Sequence, residues 1–192
     1  MRNETVYRVY RTAGILKYPE AETTHLSEEY AIELWQPGAG SMVPPTMSSR
    51  FIVWWLFHCL GILHNRMYRV VLVRHKGAVV HRSSLVPKYF RWPFMGENDL
   101  QISSTWTDPA HRGRGLATFA LRHLVRSYAG GARQFWYICR EDNPASIAVC
   151  CRCGFEFQCP MRRTHPWGSL LFGRFLPVAE KTYHENLAAD HR

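Results

Sequence analysis

The stretch Thr105–Ala117, which reads Thr-Trp-Thr-Asp-Pro-Ala-His-Arg-Gly-Arg-Gly-Leu-Ala, limits the fold of this chain more than any other. The pattern predicts the end of a strand, a turn at Asp108-Pro109, a glycine-rich corner, and a helix that begins near Arg112 or Gly113 and runs toward Tyr128. A strand that feeds a helix through such a corner is typical of a β-α-β unit.

This corner also has the chemistry of an anion site. The first amides of a helix have no intrahelical partner, and they lie at the positive end of the helix dipole. Gly113 and Gly115 carry no side chain, so a ligand can approach the backbone closely. Arg112 and Arg114 add positive charge. The residues therefore predict a site for a phosphate or pyrophosphate.

The rest of the chain predicts strands and helices around this unit. Strands are predicted at 5–11, 67–74, 78–86, 99–107, 133–139, 155–159 and 169–175, and helices at 27–35, 48–63, 112–128 and 143–153. Loops are predicted at 13–24, 36–45 and 87–98. We expect one domain, with an α/β (or α+β) sheet of about seven strands and about four helices, and a polar tail from Pro177 to Arg192.

Composition excludes some classes of protein. The 192 residues are 46% hydrophobic and 14% aromatic, which excludes a disordered chain, and the net charge of +9 favours an acidic partner. The apolar run from Phe51 to Leu63 is shorter than the roughly 20 residues that a membrane span needs. With no secretory signal in the sequence, we expect a cytoplasmic protein with six free thiols.

The corner does not fit the two best-known phosphate-binding patterns. The third glycine of a dinucleotide-binding turn is missing, and so is the Gly-Lys-Ser/Thr end of a P-loop. The segment Arg112-Gly-Arg-Gly-Leu-Ala117 resembles instead the Q/R-x-x-G-x-G/A motif of the GNAT acetyltransferases. Asn143-Pro-Ala-Ser146 and Gly154-Phe155 resemble the second half of the pattern of that family, at the right separation. The resemblance covers residues 67–175 well and the first 66 residues by element order alone.

The resemblance implies binding of acetyl-CoA as the acyl donor. The amides of Arg112 to Ala117, through Gly113, Arg114, Gly115 and Leu116, would hold the pyrophosphate. The pantetheine arm would pair with the backbone of Trp106 and Thr107, where two parallel strands, 99–107 and 133–139, splay apart. Asn143 and Ser146 would face the arm from the other side. In this division, residues 1–66 form the acceptor side and residues 67–176 the acyl-CoA-binding core.

The expected acid and base of such an enzyme are less evident. Many GNATs place a tyrosine four residues before the Gly-Phe pair, where this chain has Cys150, so its thiol is a candidate proton donor, with a buried inert thiol as the alternative. Where some GNATs carry a glutamate base on this strand, the chain has Gln101. Asp99, two residues earlier on the same strand face, is a candidate base that would act through water, with a hydrogen-bonded acid at the strand edge as the slightly favoured alternative. His81 is the third candidate, as a base, because histidine titrates near neutral pH. The alternative is a structural histidine.

Two other features bear on ligands. Four cysteines between Cys150 and Cys159, with His165, could suggest a metal, but the spacing is unlike that of zinc modules, and we expect no metal. The loop with Tyr89, Phe90, Trp92 and Phe94 could stack on a sugar or base, or pack on the core.

The sequence therefore predicts an N-acetyltransferase that uses acetyl-CoA and a primary amine, with a small or nucleotide-linked amino sugar as the favoured acceptor. A homodimer is left open. The alternatives are a catalytically weak CoA-binding module and, less favoured, a basic protein that binds nucleic acid; the expected partners exclude nucleic acid and a membrane span.

Overall fold

A computed structural model of the chain describes residues 5–13, 26–130, 132–166 and 173–178. The strands are β1 (Val6–Thr12), β2 (Tyr30–Trp35), β3 (Arg69–His75), β4 (Ala78–Pro87), β5 (Leu100–Thr107), β6 (Phe135–Arg140), β7 (Glu156–Arg163) and β8 (Phe175–Pro177). The α-helices are α1 (Ile52–Cys59), α2 (Leu116–Tyr128) and α3 (Pro144–Arg152), and short 3-10 turns lie at Ser49–Phe51 and Pro109–His111.

The described strands form one sheet in the order β2-β3-β4-β5-β6-β1-β7-β8. Neighbouring strands are antiparallel except for the central pair, β5 and β6, which run parallel because α2 connects them. The N-terminal strand β1 lies between β6 and β7 and is antiparallel to both. The mixed α/β fold with a parallel central pair is therefore confirmed, with eight strands and three α-helices in the described ranges.

The prediction of a helix over residues 27–35 is wrong. Ser27 and the two glutamates after it resemble a helix start, but they form a turn in which the Tyr30 amide donates to the Ser27 carbonyl at 2.9 Å. Tyr30–Trp35 then pairs along its whole length with β3, and Trp35 is buried against Tyr68. Six residues of sheet pairing and a buried tryptophan outweigh a local capping signal.

Two helix boundaries differ from the predictions. The helix predicted over 48–63 is a 3-10 turn followed by α1, which ends at Cys59. The central helix α2 begins at Leu116, not at Arg112 or Gly113, because Gly115 has a left-handed conformation (φ 76°) and acts as its N-cap. Of the strand predicted over 169–175, residues 169–172 lie outside the described residues, as do most of the 13–24 loop and most of the tail.

Two apolar layers cover the sheet. On one face, α2 and α3 pack on the sheet with Leu121, Leu124 and Cys150 over Leu85, Ile102 and Phe135. On the other face, α1 and the 88–98 loop cover β3, β4 and β6 with Phe57, Tyr89, Trp92 and Met95. We call these the α2/α3 face and the α1 face. Within the described ranges, no helix has the length and apolar character that crossing a membrane requires.

Candidate active site

The glycine-rich turn ends at a helix start with free amides. The first bond of α2 runs from the Phe119 amide to the Gly115 carbonyl at 2.9 Å, so the three amides of Leu116 to Thr118 have no intrahelical acceptor. Gly113 and Gly115 both have φ of 76°, which side-chain-bearing residues rarely adopt. A Cβ at Gly113 would meet no atom within 4 Å, so conformation rather than space favours glycine there. The turn has the form of an anion cradle.

Both arginines of the turn are exposed, and each donates to a neutral oxygen. Arg112 donates to the Thr107 carbonyl at 3.3 Å, which folds it back onto the end of β5. Arg114 donates to the Tyr30 hydroxyl at 3.1 Å, and that hydroxyl also contacts Nδ1 of His111 at 3.0 Å. These contacts hold two positive charges beside the free amides, where they can attract an anion.

The parallel strands β5 and β6 separate beside this turn. They pair only from Leu100↔Phe135 to Ile102↔Tyr137, and beyond that point β5 continues to Thr107 while paired to β4 alone. The edge of β5 that faces β6 is therefore open over residues 103–107. An open strand edge can hydrogen-bond an extended amide-containing ligand as a further strand would. The predicted splay is confirmed.

A β-bulge lies where the strands separate. Ser103 and Trp106 of β5 pair with Ser84 and Arg82, so Ser104 and Thr105 together oppose only Ser83. Ser104 has a φ of 53°, in the left-handed region that non-glycine residues seldom occupy. Bulges bend a strand and change the direction of its side chains, which accounts for the departure of β5 from β6.

A row of hydrogen-bonded polar side chains lies on the α2/α3 face beside this opening. The Thr107 hydroxyl contacts His81 Nδ1 at 2.7 Å, His81 Nε2 contacts the Ser83 hydroxyl at 3.0 Å, and Ser83 donates to Thr105 Oγ1 at 3.1 Å. We call this set, Thr107–His81–Ser83–Thr105, the polar row. It joins β4 and β5. The Tyr137 hydroxyl on β6 lies near that of Thr105.

The contacts of His81 suit a neutral ring. Each ring nitrogen faces one hydroxyl, and a hydroxyl can donate to one nitrogen and accept from the N–H of the other. His81 is fully buried, and burial, with the nearby charge of Arg82 as a smaller cause, lowers its pKa to about 4. The ring is therefore neutral near pH 7.

The short helix α3 lies over the far end of the polar row. Asn143 caps this helix, and its Oδ1 accepts from the Ser146 amide at 3.1 Å. The Ser146 hydroxyl lies near that of Tyr137. Asn143 thus fixes the first turn of α3 and the position of Ser146 within it. Burial raises the pKa of Tyr137, which keeps its hydroxyl protonated.

Cys150, the candidate proton donor, lies on the buried side of α3. Its side chain is fully buried, and its thiol donates to the Ile147 carbonyl at 3.2 Å. Burial raises the pKa of this thiol, and the neighbouring thiols Cys151 and Cys139 add to the effect. The thiol is thus held as an uncharged group of the core.

Asp99, the candidate base, lies at the opposite end of β5 from the polar row. From Asp99 to Thr107 is roughly 25 Å along a strand. The buried carboxylate accepts from the Gly96 amide at 2.8 Å, the Gln134 amide at 3.0 Å and the Trp136 indole at 2.8 Å. The structure therefore does not bring Asp99 together with His81 or Cys150. Its three contacts tie the 88–98 loop and β6 to the start of β5.

The other residues predicted to bind ligands lie in different environments. Trp106 turns to the α1 face and stacks under Arg82 at 4.7 Å, while Leu116 contributes its side chain to the core. Tyr89 and Trp92 of the aromatic loop are buried, so their rings pack on the core instead of facing a ligand.

An open depression of about 440 Å³ lies beside Asp99, lined by residues of the 96–99 and 130–133 loops, far from the glycine-rich turn. Among the described residues, no cluster of metal-binding side chains occurs, and all six cysteines are free.

Sequence reasoning named His81, Thr107 and Ser146 but missed Ser83 and Thr105. The alternation of His81, Ser83 and Leu85 along a predicted strand places them on one face. That signal could have identified Ser83. Thr105 could not be placed in the same way, because the bulge at Ser104 shifts the alternation of β5 by one residue.

Residues 23–155 match the model of a family described as the acetyltransferase (GNAT) family. A relative named ribosomal-protein-serine acetyltransferase, from Escherichia coli, is 44% identical over 52 residues. That alignment covers 26% of this chain and 29% of the relative.

Solved structures share the fold at low sequence identity. A GCN5-related N-acetyltransferase from Sphaerobacter thermophilus aligns with a TM-score of 0.56 and 16% identity over 84% of this chain and 51% of that one. A GCN5-related N-acetyltransferase-like protein from Streptococcus suis aligns with a TM-score of 0.51 and 16% identity over 82% of this chain and 61% of that one. The chain thus spans less than two thirds of each of these relatives.

Proposed function

Because this chain belongs to the acetyltransferase (GNAT) family, we propose that it transfers an acetyl group from acetyl-CoA to a primary amine. The observation that carries the proposal is the open edge of β5 that leads directly into the glycine-rich turn. The free amides, Arg112 and Arg114 suit a pyrophosphate, and the open strand edge suits the amide-containing pantetheine arm. One continuous surface thus fits the two chemically different parts of CoA.

The reaction requires three things of such a site. The amine must be neutral to attack the thioester carbonyl, the developing oxyanion needs N–H donors, and the leaving thiolate needs a proton. Backbone amides on the open edge of β5 could hold the oxyanion. The polar row lies beside that edge and contains hydroxyls and a neutral imidazole.

We propose two candidate acceptors. A small or nucleotide-linked amino sugar was favoured by the net charge of +9 and by the aromatic loop, but the rings of Tyr89 and Trp92 are buried. The charge alone therefore supports this acceptor. The second candidate is an amine of a protein, which the local 44% identity to the ribosomal-protein-serine acetyltransferase favours.

Binding of acetyl-CoA is the first test. At a concentration 100 times its Kd, acetyl-CoA should stabilise the chain by about 2.7 kcal/mol, which is a rise in Tm of about 5–10 °C. Gly115→Asp should abolish the rise, because it places a negative charge among the free amides. Gly61→Asp is the matched control, since Gly61 has a similar positive φ (68°) but follows α1. Absence of any shift in the wild-type chain would refute the proposal.

Turnover is the second test. Release of the CoA thiol should be measured with amino sugars, their nucleotide-linked forms, and a serine-containing peptide with a free N-terminal amine. Selective release with one class identifies the acceptor. Binding of acetyl-CoA without release for any amine would favour the catalytically weak CoA-binding module.

A further inference from the structure

Three rings from distant parts of the chain meet beside the glycine-rich turn. Tyr30 begins β2, His75 ends β3, and His111 ends the second 3-10 turn. The Tyr30 ring lies 5.1 Å from that of His75 and 5.8 Å from that of His111, and the two imidazoles are 4.8 Å apart. We call these three residues the ring cluster. Because each ring contacts the other two, the cluster fixes the direction of the Tyr30 hydroxyl.

The ring cluster is anchored on two sides. On one side, Tyr30 packs on a small apolar group that includes Leu116, the first residue of α2. On the side that faces solvent, Nε2 of His75 contacts the Glu29 carboxylate at 3.3 Å. The phenol ring is therefore attached to the same helix start whose amides are free.

The Tyr30 hydroxyl is the point at which the ring cluster holds Arg114. Arg114 donates to the hydroxyl oxygen at 3.1 Å, and the same hydroxyl contacts Nδ1 of His111 at 3.0 Å. A hydroxyl has one hydrogen and two lone pairs, so it can accept from the guanidinium and donate to the imidazole at once. The exposed Arg114 side chain thus has a fixed partner, whereas an arginine without one samples many rotamers.

The chemistry of this partner suits an anion site. A carboxylate partner would neutralise the guanidinium, whereas the phenol leaves the positive charge of Arg114 available. The bond uses one of the N–H groups of the guanidinium, so others can reach a phosphate in the two-pronged geometry that arginine favours. The ring cluster lies on the β2 side of β5, and the open edge of β5 faces β6. Arg114 is therefore placed for the phosphates of a donor and not for its thioester end.

We propose that the ring cluster, through the Tyr30 hydroxyl, positions Arg114 for the pyrophosphate of the donor and so makes that pyrophosphate a determinant of donor selection. The inference rests on the proposed use of acetyl-CoA. Arg114 is the residue that contacts the ligand, and Tyr30, His75 and His111 are positioning residues. They take no part in the chemical step, so their loss should weaken donor binding without slowing that step.

The first experiment is Tyr30→Phe, which removes the hydroxyl and keeps the ring. Calorimetry should show a Kd for acetyl-CoA about tenfold higher than in the wild-type chain, because Arg114 loses the partner that orders it. The kcat at saturating acetyl-CoA should stay within about twofold of wild type. Tyr128→Phe is the matched control, since Tyr128 is the last residue of α2, roughly 18 Å along the helix from Leu116. This control should leave the Kd unchanged.

Acetyl-pantetheine separates this role from a general effect on the fold. It carries the thioester and the arm but no pyrophosphate, so its kcat/KM should be the same in Tyr30→Phe and in the wild-type chain. The ratio of kcat/KM for acetyl-CoA to that for acetyl-pantetheine should therefore fall about tenfold in the variant. An equal loss with both donors would overturn the positioning role, because damage to the whole cleft would affect both.

A double-mutant cycle tests whether Tyr30 acts through Arg114. Arg114→Ala alone should raise the Kd for acetyl-CoA by at least as much as Tyr30→Phe does. In the Arg114→Ala background, Tyr30→Phe should then change the Kd by less than about twofold. Fully additive losses would contradict the inference. His111→Phe, which keeps a ring but removes Nδ1, should raise the Kd about threefold.

These outcomes are distinct from failure of the proposed function. Unchanged binding of acetyl-CoA in Tyr30→Phe would overturn the role of the ring cluster while acetyl transfer stands. If the wild-type chain bound acetyl-CoA but transferred no acetyl group, acetyl transfer would be refuted, and the Kd comparison would still decide this inference. A wild-type chain that binds no acetyl-CoA would refute both.

Discussion

The two ends of β5 both carry hydrogen-bonded polar groups, yet they have different roles. At the start, the Asp99 carboxylate accepts from three N–H donors on the 88–98 loop and β6, and the strand is paired on both sides. At the finish, Thr105 and Thr107 join the polar row, and one edge of the strand is open. The first end closes the sheet, and the second leaves it open for a ligand.

This difference separates structural polar groups from candidate catalytic groups better than residue type does. By type, a carboxylate is the better base, and Asp99 was a natural candidate. Its partners complete its hydrogen bonding, however, and they lie far from the glycine-rich turn. The members of the polar row also have partners, but their row ends at an open strand edge where a ligand can enter. A polar group that lies beside unpaired backbone of β5 is therefore a better catalytic candidate than one at the fully paired end of the strand.

The largest effect is expected at the closed end. Asp99→Ala should lower the free energy of unfolding by about 3–5 kcal/mol, because three buried N–H groups lose their acceptor. Denaturant unfolding would measure it, with Asp99→Asn as the milder variant. Activity per folded molecule should not change. A folded Asp99→Asn chain with a 100-fold lower kcat would break the comparison, since the closed end would then take part in the chemistry.

The next effect concerns the charge state of the open end. Since His81 has a pKa near 4 in the fold and about 6.5 when unfolded, the unfolded chain binds more protons between these values. Stability should therefore be full above about pH 6.5 and fall, by about 3 kcal/mol from this residue, as the pH drops toward 4. His58 and His123, whose pKa values burial also lowers, act in the same direction.

His81→Gln isolates that contribution. Its stability should decline less steeply between pH 6.5 and 4 than that of the wild-type chain in matched denaturant titrations. Equal slopes for the two chains would mean that His81 is not buried in its neutral form.

The smallest effect is expected at the bulge itself. Ser104 is exposed and has a φ of 53°, so Ser104→Val should cost about 1–2 kcal/mol, because a β-branched residue disfavours that conformation. Ser104→Gly should change stability by less than about 1 kcal/mol. If valine were tolerated as well as glycine, the bulge would not be the feature that separates β5 from β6.

The sequence predicted the parts of the fold that local pattern controls. The alternating strands β3 and β4, the glycine-rich turn and the capped helix α3 were each located to within a few residues. The 27–35 segment was misassigned because its partner β3 lies about 40 residues away, and pairing over that distance leaves no local trace. The polar row was found only in part for the same reason, since Ser83 and Thr105 meet across separate strands.

The position of β1 has a consequence for how the chain is made. Tyr7 pairs with Arg140 and with Met161, so β1 cannot find either neighbour until more than 130 further residues have been synthesised. Contacts between such distant residues slow folding, because the intervening chain must be ordered first. On the ribosome, the arginine-rich β1 segment would emerge before β6 and β7 and would stay unpaired until they are synthesised. The half of the sheet that carries β6, and with it one wall of the cleft, would therefore be completed late.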